Sequence, residues 1–347
     1  MFNYLHLCIF TQSLWSTMPS FIFRFNSALN YLFYALILLL LIGPINAQNY
    51  PNHPIRLLIG FPPGGGADVV GRALAQKMTD SMGQSFIVDN RSGANGAIAT
   101  ELAARAPSDG YTLILNTIGH ATNASLMKLN FDSMKDFSFI SKVADSQNLL
   151  VVHPSFPAKT IPELINLSRK NPNTITYGTQ GIGASGHLSG ELFQSMAHVK
   201  WIHVPYKGGS LALLDLISGN ISLSFGNIPT LIGQVRNKKL RAIALSGLKR
   251  SPAIPNVPTI SESGLPGFEV VNWFGMSAPA KTPSPLIDRL HSEIVVGLKN
   301  ADLSAAYFHV GADPVGSTPL QYTQFMQAEI NKWAKVMQAA GITGENH

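Results

Sequence analysis

The feature that most narrows the fold is a repeated alternation of short apolar runs with longer helical patterns. Runs of strand length occur at residues 55–61, 86–90, 112–116, 149–153, 174–177, 201–204, 221–225 and 240–245. Between most of them lie stretches with apolar residues at helical spacing, at 69–82, 97–106, 161–171, 188–197 and 211–218. Strand and helix in alternation argue for an α/β fold of parallel sheets covered by helices. The C-terminal third differs, because residues 285–300 and 319–340 read as longer amphipathic helices.

Proline-rich stretches at 151–164 and 249–273 punctuate this pattern. The βαβ-rich block between them has typical domain size, about 100 residues. A block set between two chain crossings leaves a cleft between lobes, and such clefts bind small ligands and close by hinge motion.

The first 47 residues stand apart. Arg24 is their only charged residue, and an apolar run, "YLFYALILLLLIG", leads into "PINA" before Gln48. A basic region, a short apolar core and a small final residue describe a secretory signal peptide cleaved near Ala47. The run is short for a bilayer span, which needs about 20 residues, although an uncleaved anchor is the competing reading. Residues before Met18 lack Lys and Arg, which leaves Met1 and Met18 both open as starts. The single cysteine, Cys8, falls in the leader, so cleavage leaves a chain without disulfide, thiolate or cysteine–metal chemistry. The remainder stays net basic, which suits an anionic partner. The densest basic cluster, "NKKLR" at 237–241, is a solvated turn rather than a nucleic-acid footprint, so no nucleic acid is expected.

Two glycine-rich turns carry the chemistry. In "IGFPPGGGADVVGRALAQKM" (59–78) the prolines stiffen the turn and the glycines permit close backbone approach. Asp68 falls near the helix start, where it caps free N–H groups and shapes the turn. Exposed N–H groups at a positive helix end make an anion site. The anion is not a nucleoside polyphosphate, because a P-loop needs Lys then Ser or Thr where Ala67 and Asp68 stand.

The second turn, "TYGTQGIGASGHLSGEL" (176–192), contains a formal GxGxxG from Gly181 to Gly186. A dinucleotide fold would end its next strand in an acid. That strand runs instead into "HVPYKGG", so NAD is disfavoured, while Lys207 keeps an NADP-linked oxidoreductase built on the Gly181 turn as the alternative function. The same segment misses the nucleophile elbow, since His187 stands where GxSxG requires glycine. Ser185 is therefore a helix cap or ligand donor. Without HExxH or a tight carboxylate partner for the scattered histidines, no metal is expected; His187 and His203 read as structural hydrogen-bonders.

With both turns in view, the chain from about Tyr50 to Ile342 resembles the Bug family, the TctC-like extracytoplasmic solute receptors of tripartite tricarboxylate transporters. The resemblance rests on "YPNHPIRLLIGFPPGGGADVVGRALAQKM", "GQSFIVDNRSGANGAIATELAARAPSDGYTLIL", "YGTQGIGASGHLSGELF", "HVPYKGG", "RSPAIPNVPTISESGLPGFEVVNWFGMSAPAKTP" and "EINKWAKVMQAAGI". It implies a periplasmic binding protein-like fold of type II, with two α/β lobes around a ligand cleft. The lobes would comprise residues 48–150 with 266–347, and residues 151–265. It implies a non-enzymatic periplasmic receptor without a cofactor, serving membrane permease subunits or a sensor protein.

The resemblance also implies the site. Backbone and hydroxyl groups of the first loop (Phe61, Pro63, Gly64, Gly65, Asp68) and of the second (Gly178, Thr179, Gly183, Ala184, Ser185) would hold a ligand carboxylate, with ordered waters between. Thr117 and Tyr206 would be further cleft residues. Family members often carry aspartate where Ser222 and Gly226 stand here. Because Gly226 cannot pair an ammonium group, the expected ligand is a small organic carboxylate without an α-amino group. Amino-terminal sequencing of the exported protein tests the leader: the expected first residue lies near Gln48, and a chain still beginning at Met1 or Met18 would contradict cleavage.

Overall fold

The computed structural model describes residues 50–340. The expected leader, with its apolar run and Cys8, lies outside them. Strand β1 (Ile55–Ile59) is flanked by β2 (Phe86–Asn90) and β3 (Thr112–Thr117), both parallel to it. A strand covered on both faces needs apolar residues at successive positions, and "IRLLI" supplies them. Helix α1 (Gly66–Met82) buries Val70, Leu74, Ala75, Met78 and Met82, one stripe at three- and four-residue spacing. It ends at Gly83, whose φ of 70° reverses the chain while its N–H donates to the Thr79 carbonyl.

A second parallel group, β7 (Leu223–Asn227), β5 (Thr176–Thr179) and β6 (Ile202–Pro205), lies elsewhere in the same sheet. Two antiparallel strands join the groups. β9 (Val271–Pro279) pairs with β3, and β4 (Phe137–Val152) pairs with β9 along residues 137–147. The last five residues of β4 leave β9 and pair with β7 and with β8 (Arg241–Leu245). β10 (Ala312–Pro314) adds to β4, giving ten strands in the order β2-β1-β3-β9-β4-β7-β5-β6, with β8 and β10 off this path.

The expectation of parallel sheets therefore needs correction: the sheet is mixed, and its middle is antiparallel. The run read at 149–153 belongs to the end of a strand of 16 residues. Register shifts at Phe139/Ser141 and Lys142/Ala144 break the alternation that would have marked its first part. β9 lies at the edge of a stretch rich in proline and glycine, which reads as punctuation, yet it buries Trp273, Phe274 and Met276.

Among the described residues nine further helices cover the sheet: α2 (Ala97–Ala104), α3 (Ile118–Leu126), α4 (Ile161–Lys170), α5 (Ser185–Ala197), α6 (Gly209–Ile217), α7 (Ile228–Arg236), α8 (Ser284–Lys299), α9 (Ala301–Val310) and α10 (Pro319–Ala340). α3, α7 and α9 have no counterpart in the sequence reading. α9 follows α8 without a gap in the apolar pattern, separated by Asn300, whose side chain accepts from the N–H groups of Asp302 and Leu303. None of the described helices is long and apolar enough to cross a membrane.

Aromatic residues fill the core. Phe193 stacks on Trp201 and meets Phe225 and Phe268, while Tyr322 of α10 packs edge-on against Phe139 and Trp273. Full burial of such a side chain contributes roughly 1.5–3 kcal/mol. Glu329 sits among them because Trp273 and Trp333 both donate their indole N–H to its Oε2, at 2.9 and 2.8 Å.

His120 of α3 is also buried, edge-on to Phe137 and Phe139. Its Nε2 donates to the Ser133 carbonyl at 2.8 Å, which leaves Nδ1 to accept from Asn116 Nδ2 at 2.8 Å. Burial pulls its pKa down to about 4, against the opposing hydrogen bond to Ser133. The folded value lies below the unfolded one, so acid protonates the unfolded chain first. Stability should be full above about pH 6.5 and fall towards pH 4 by up to about 1.4 kcal/mol per unit. Urea midpoints at pH 7, 5.5 and 4.5 should decline in the wild type, and His120→Gln should flatten that slope.

Candidate functional site

Five helices begin at one place. Gly65, Gly66 and Ala67 at the start of α1, Thr117 and Ile118 at α3, Ala184 and Ser185 at α5, Gly209 at α6 and Asn227 at α7 all line a single internal space. Phe61, Asn95, Gln180, Asn272 and Phe274 complete its wall. No lining residue carries a charged side chain. Positive polarity therefore comes from main-chain dipoles and amide side chains. Among the described residues, the N–H groups of Gly66, Ala67 and Ser185 have no hydrogen-bond acceptor. Each helix end contributes about 0.3–1 kcal/mol to holding an anion, up to about 2 when partly buried. Micromolar binding takes about 8 kcal/mol, so it needs several such ends acting together with direct hydrogen bonds.

A buried polar network sets the wall. Asn148, at the point where β4 leaves β9, donates to Ser189 Oγ at 3.0 Å. Its Oδ1 accepts from Ser185 Oγ and from Asn227 Nδ2, both at 3.0 Å. Gln180 Nε2 donates to Asn227 Oδ1 at 3.3 Å, and Gln180 Oε1 accepts from the Gly186 N–H at 3.2 Å. Three lining side chains are thus fixed through one asparagine.

The opposing walls touch closely. Asn227 lies 3.0 Å from where a Cβ on Gly66 would stand, and Pro62 fills the place of a Cβ on Gly208, whose φ is 141°. These glycines bring two loops together, a steric use distinct from the approach to a ligand that the sequence suggested. Thr122 Oγ1 donates to the Gly183 carbonyl at 3.0 Å, a further tie across the opening. The space open to the centre of a water-sized sphere is only about 20 Å³, little more than the ~10–15 Å³ that a single water requires.

A larger space of about 230 Å³ adjoins it and shares Phe61, Asn95 and Gln180 as wall. Met127, Ile182, Pro205, Tyr206 and Lys207 line its outer part.

The expected residues fall into three groups. Phe61, Gly65, Thr117, Ala184 and Ser185 line the inner space, and Tyr206 lines the outer one. Tyr206 turns its hydroxyl away to donate to Asp215 Oδ2 at 2.6 Å; burial first, then Asp215, pushes its pKa up. Pro63, Gly64, Asp68, Gly178, Thr179, Gly183 and Gly226 line neither space.

Asp68 holds the first turn from behind: its carboxylate accepts from the Gly64 N–H, Arg72 Nε and Asn90 Nδ2 at 2.9–3.0 Å. Burial opposes its ionisation, but these hydrogen bonds and the Arg72 charge outweigh burial and lower its pKa. Thr179 is bound to His203, the two side chains being 2.7 Å apart. A Cβ on Gly183 would stand 2.1 Å from Leu126, and one on Gly186 would stand 2.3 Å from the Phe225 carbonyl, so this GxGxxG packs protein against protein. A side chain on Gly226 would run into Leu231, 2.8 Å from its Cβ, so this position does not face the cleft; its neighbour Asn227 does. Asn95, Gln180, Asn227, Asn272 and Phe274 were missed, although Asn95, Gln180 and Asn272–Phe274 all lie inside the quoted motifs. Among the described residues no cluster of His, Cys, Asp or Glu could hold a metal ion.

The tripartite tricarboxylate transporter family receptor profile, TctC, matches residues 70–342. BugT of Bordetella pertussis is 35% identical over 302 residues, spanning 86% of this chain and 93% of the relative. Among solved structures, the periplasmic binding protein BugD is 33% identical with a TM-score of 0.82, covering 85% of this chain and 99% of that one. An R. palustris protein solved with adipate is 35% identical with a TM-score of 0.83, covering 85% and 99%. The fold is thus that of the periplasmic binding proteins of this type.

Asn148→Ala would leave Ser185, Asn227 and Ser189 without their shared partner. The expected cost is about 3 kcal/mol, read as a lower urea midpoint with an unchanged slope.

Proposed function

Because this chain belongs to the tripartite tricarboxylate transporter receptor family, TctC, we propose that it captures a small organic carboxylate without an α-amino group. We further propose that it hands the solute to the membrane permease subunits of a tripartite transporter or to a sensor protein. The family is one of solute-binding receptors, and its members work as exported binding proteins. For this chain the proposal places the mature protein in the periplasm, acting without catalysis.

One observation carries the reading: five helix N-termini meet at a space whose wall contains no charged side chain. Such a site attracts an anion and offers nothing to pair a cation, because no Asp or Glu lines either the inner or the outer space. The absence of an α-amino group now rests on that wall, since Gly226 faces Leu231. A solute bound there lies between residues on either side of the crossing at Asn148. Two lobes, residues 48–150 with 266–347 and residues 151–265, would then move on β4 and β9, the strands that join the two parallel groups. Opening them separates Gly66 from Asn227 and breaks the Thr122–Gly183 bond, which lets the solute in.

The test is thermal unfolding with a panel of mono- and dicarboxylates against amino acids and NADPH. Carboxylates should raise the melting temperature, whereas a shift confined to NADPH or to aspartate and glutamate would refute the proposal. Ala67→Asp supplies a control, because an acid in the first helical turn favours the helix but repels a bound carboxylate. Because Ala67 is buried, the variant should melt somewhat below the wild type without ligand, and it should lose about 100-fold in carboxylate affinity.

A further inference from the structure

The inner space accommodates little beyond a carboxylate group, so the rest of any bound acid must lie elsewhere. A continuation runs past Phe61, Asn95 and Gln180, which border both spaces. Beyond them the lining becomes apolar, with Met127, Ile182 and the ring of Tyr206, and it contains a single charged side chain, Lys207. Lys207 is exposed and forms no ion pair with a carboxylate among the described residues. The Tyr206 hydroxyl beside it is already committed to Asp215, so the phenol is no substitute donor.

Resting on the receptor reading above, we propose that Lys207 selects a second anionic group on the ligand. The inner helix ends hold one carboxylate, an apolar chain passes the Phe61–Asn95–Gln180 constriction, and a terminal carboxylate meets the Lys207 ammonium. The ligand class is then an α,ω-dicarboxylate with an unsubstituted body. A hydroxyl or amino group on that body would find apolar wall in the outer space and be desolvated without compensation. Because Lys207 is exposed, its contribution weakens as salt rises.

The purified exported protein tests this by calorimetric titration with hexanoate and adipate, which differ only in the second carboxylate. Adipate should bind about tenfold tighter. Lys207→Met should bring adipate down to the level of hexanoate and leave hexanoate unchanged, while Lys207→Arg should restore most of the difference. High salt should shrink the wild-type preference. A preference for adipate that survives Lys207→Met, an equal loss for both acids, or no preference in the wild type overturns the assignment of Lys207 and leaves the receptor standing. Failure of every mono- and dicarboxylate to bind overturns both.

Discussion

Everything at the site depends on the convergence of helix N-termini on one uncharged space. Parallel strands impose it. β1, β3, β5 and β7 all run into loops that start helices at the same end of their respective strand groups, and β6 adds the start of α6. The first turn of each helix carries N–H groups that the helix cannot satisfy. Burying several such turns together concentrates unmet donors where solvent access is poor, and an anion answers that demand. A positively charged side chain there would be redundant and would itself need a partner.

The second constraint is Asn148. β4 must change partners at this point, from β9 to β7, and a strand that changes partners leaves its neighbours to be re-registered. Asn148 does this with a side chain that reaches both α5 and the end of β7. Its backbone N–H is meanwhile taken by Ser246 Oγ. The same residue therefore couples the sheet crossing to the walls of the candidate site. Packing and the candidate site share one hydrogen-bonded node rather than occupying separate parts of the molecule.

The parallel strand groups were legible because β1, β2, β3, β5, β6 and β7 are short and bounded by glycine-rich turns. β4 was not, since its bulges displace residues from strict alternation and Ser138, Ser141, Lys142 and Asp145 dilute its apolar content. β9 was hidden by prolines and glycines beside it. At the site, the two quoted turns could be read as helix starts from glycine, proline and cap chemistry alone. Asn95, Gln180 and Asn227 could not, because asparagine and glutamine in loops usually report turns. Their role arises from long-range contacts that no local pattern encodes. Gly226 shows the converse: the aspartate that family members often carry at this position suggested the cleft, but strand alternation turns its side-chain direction to the opposite face.

An anion site built from main chain, as proposed here, has an evolutionary corollary. Point mutation exchanges side chains and leaves the peptide group in place, so the donors at Gly66, Ala67 and Ser185 survive nearly every substitution. Only proline deletes such an N–H, and proline tends to be accepted at helix starts for the same reason that it removes the donor. The residues that surround the outer space have no such protection. Met127, Ile182 and Lys207 can each change without touching those donors, so in the proposed binding mode the range of solutes can drift while the hold on the carboxylate is inherited.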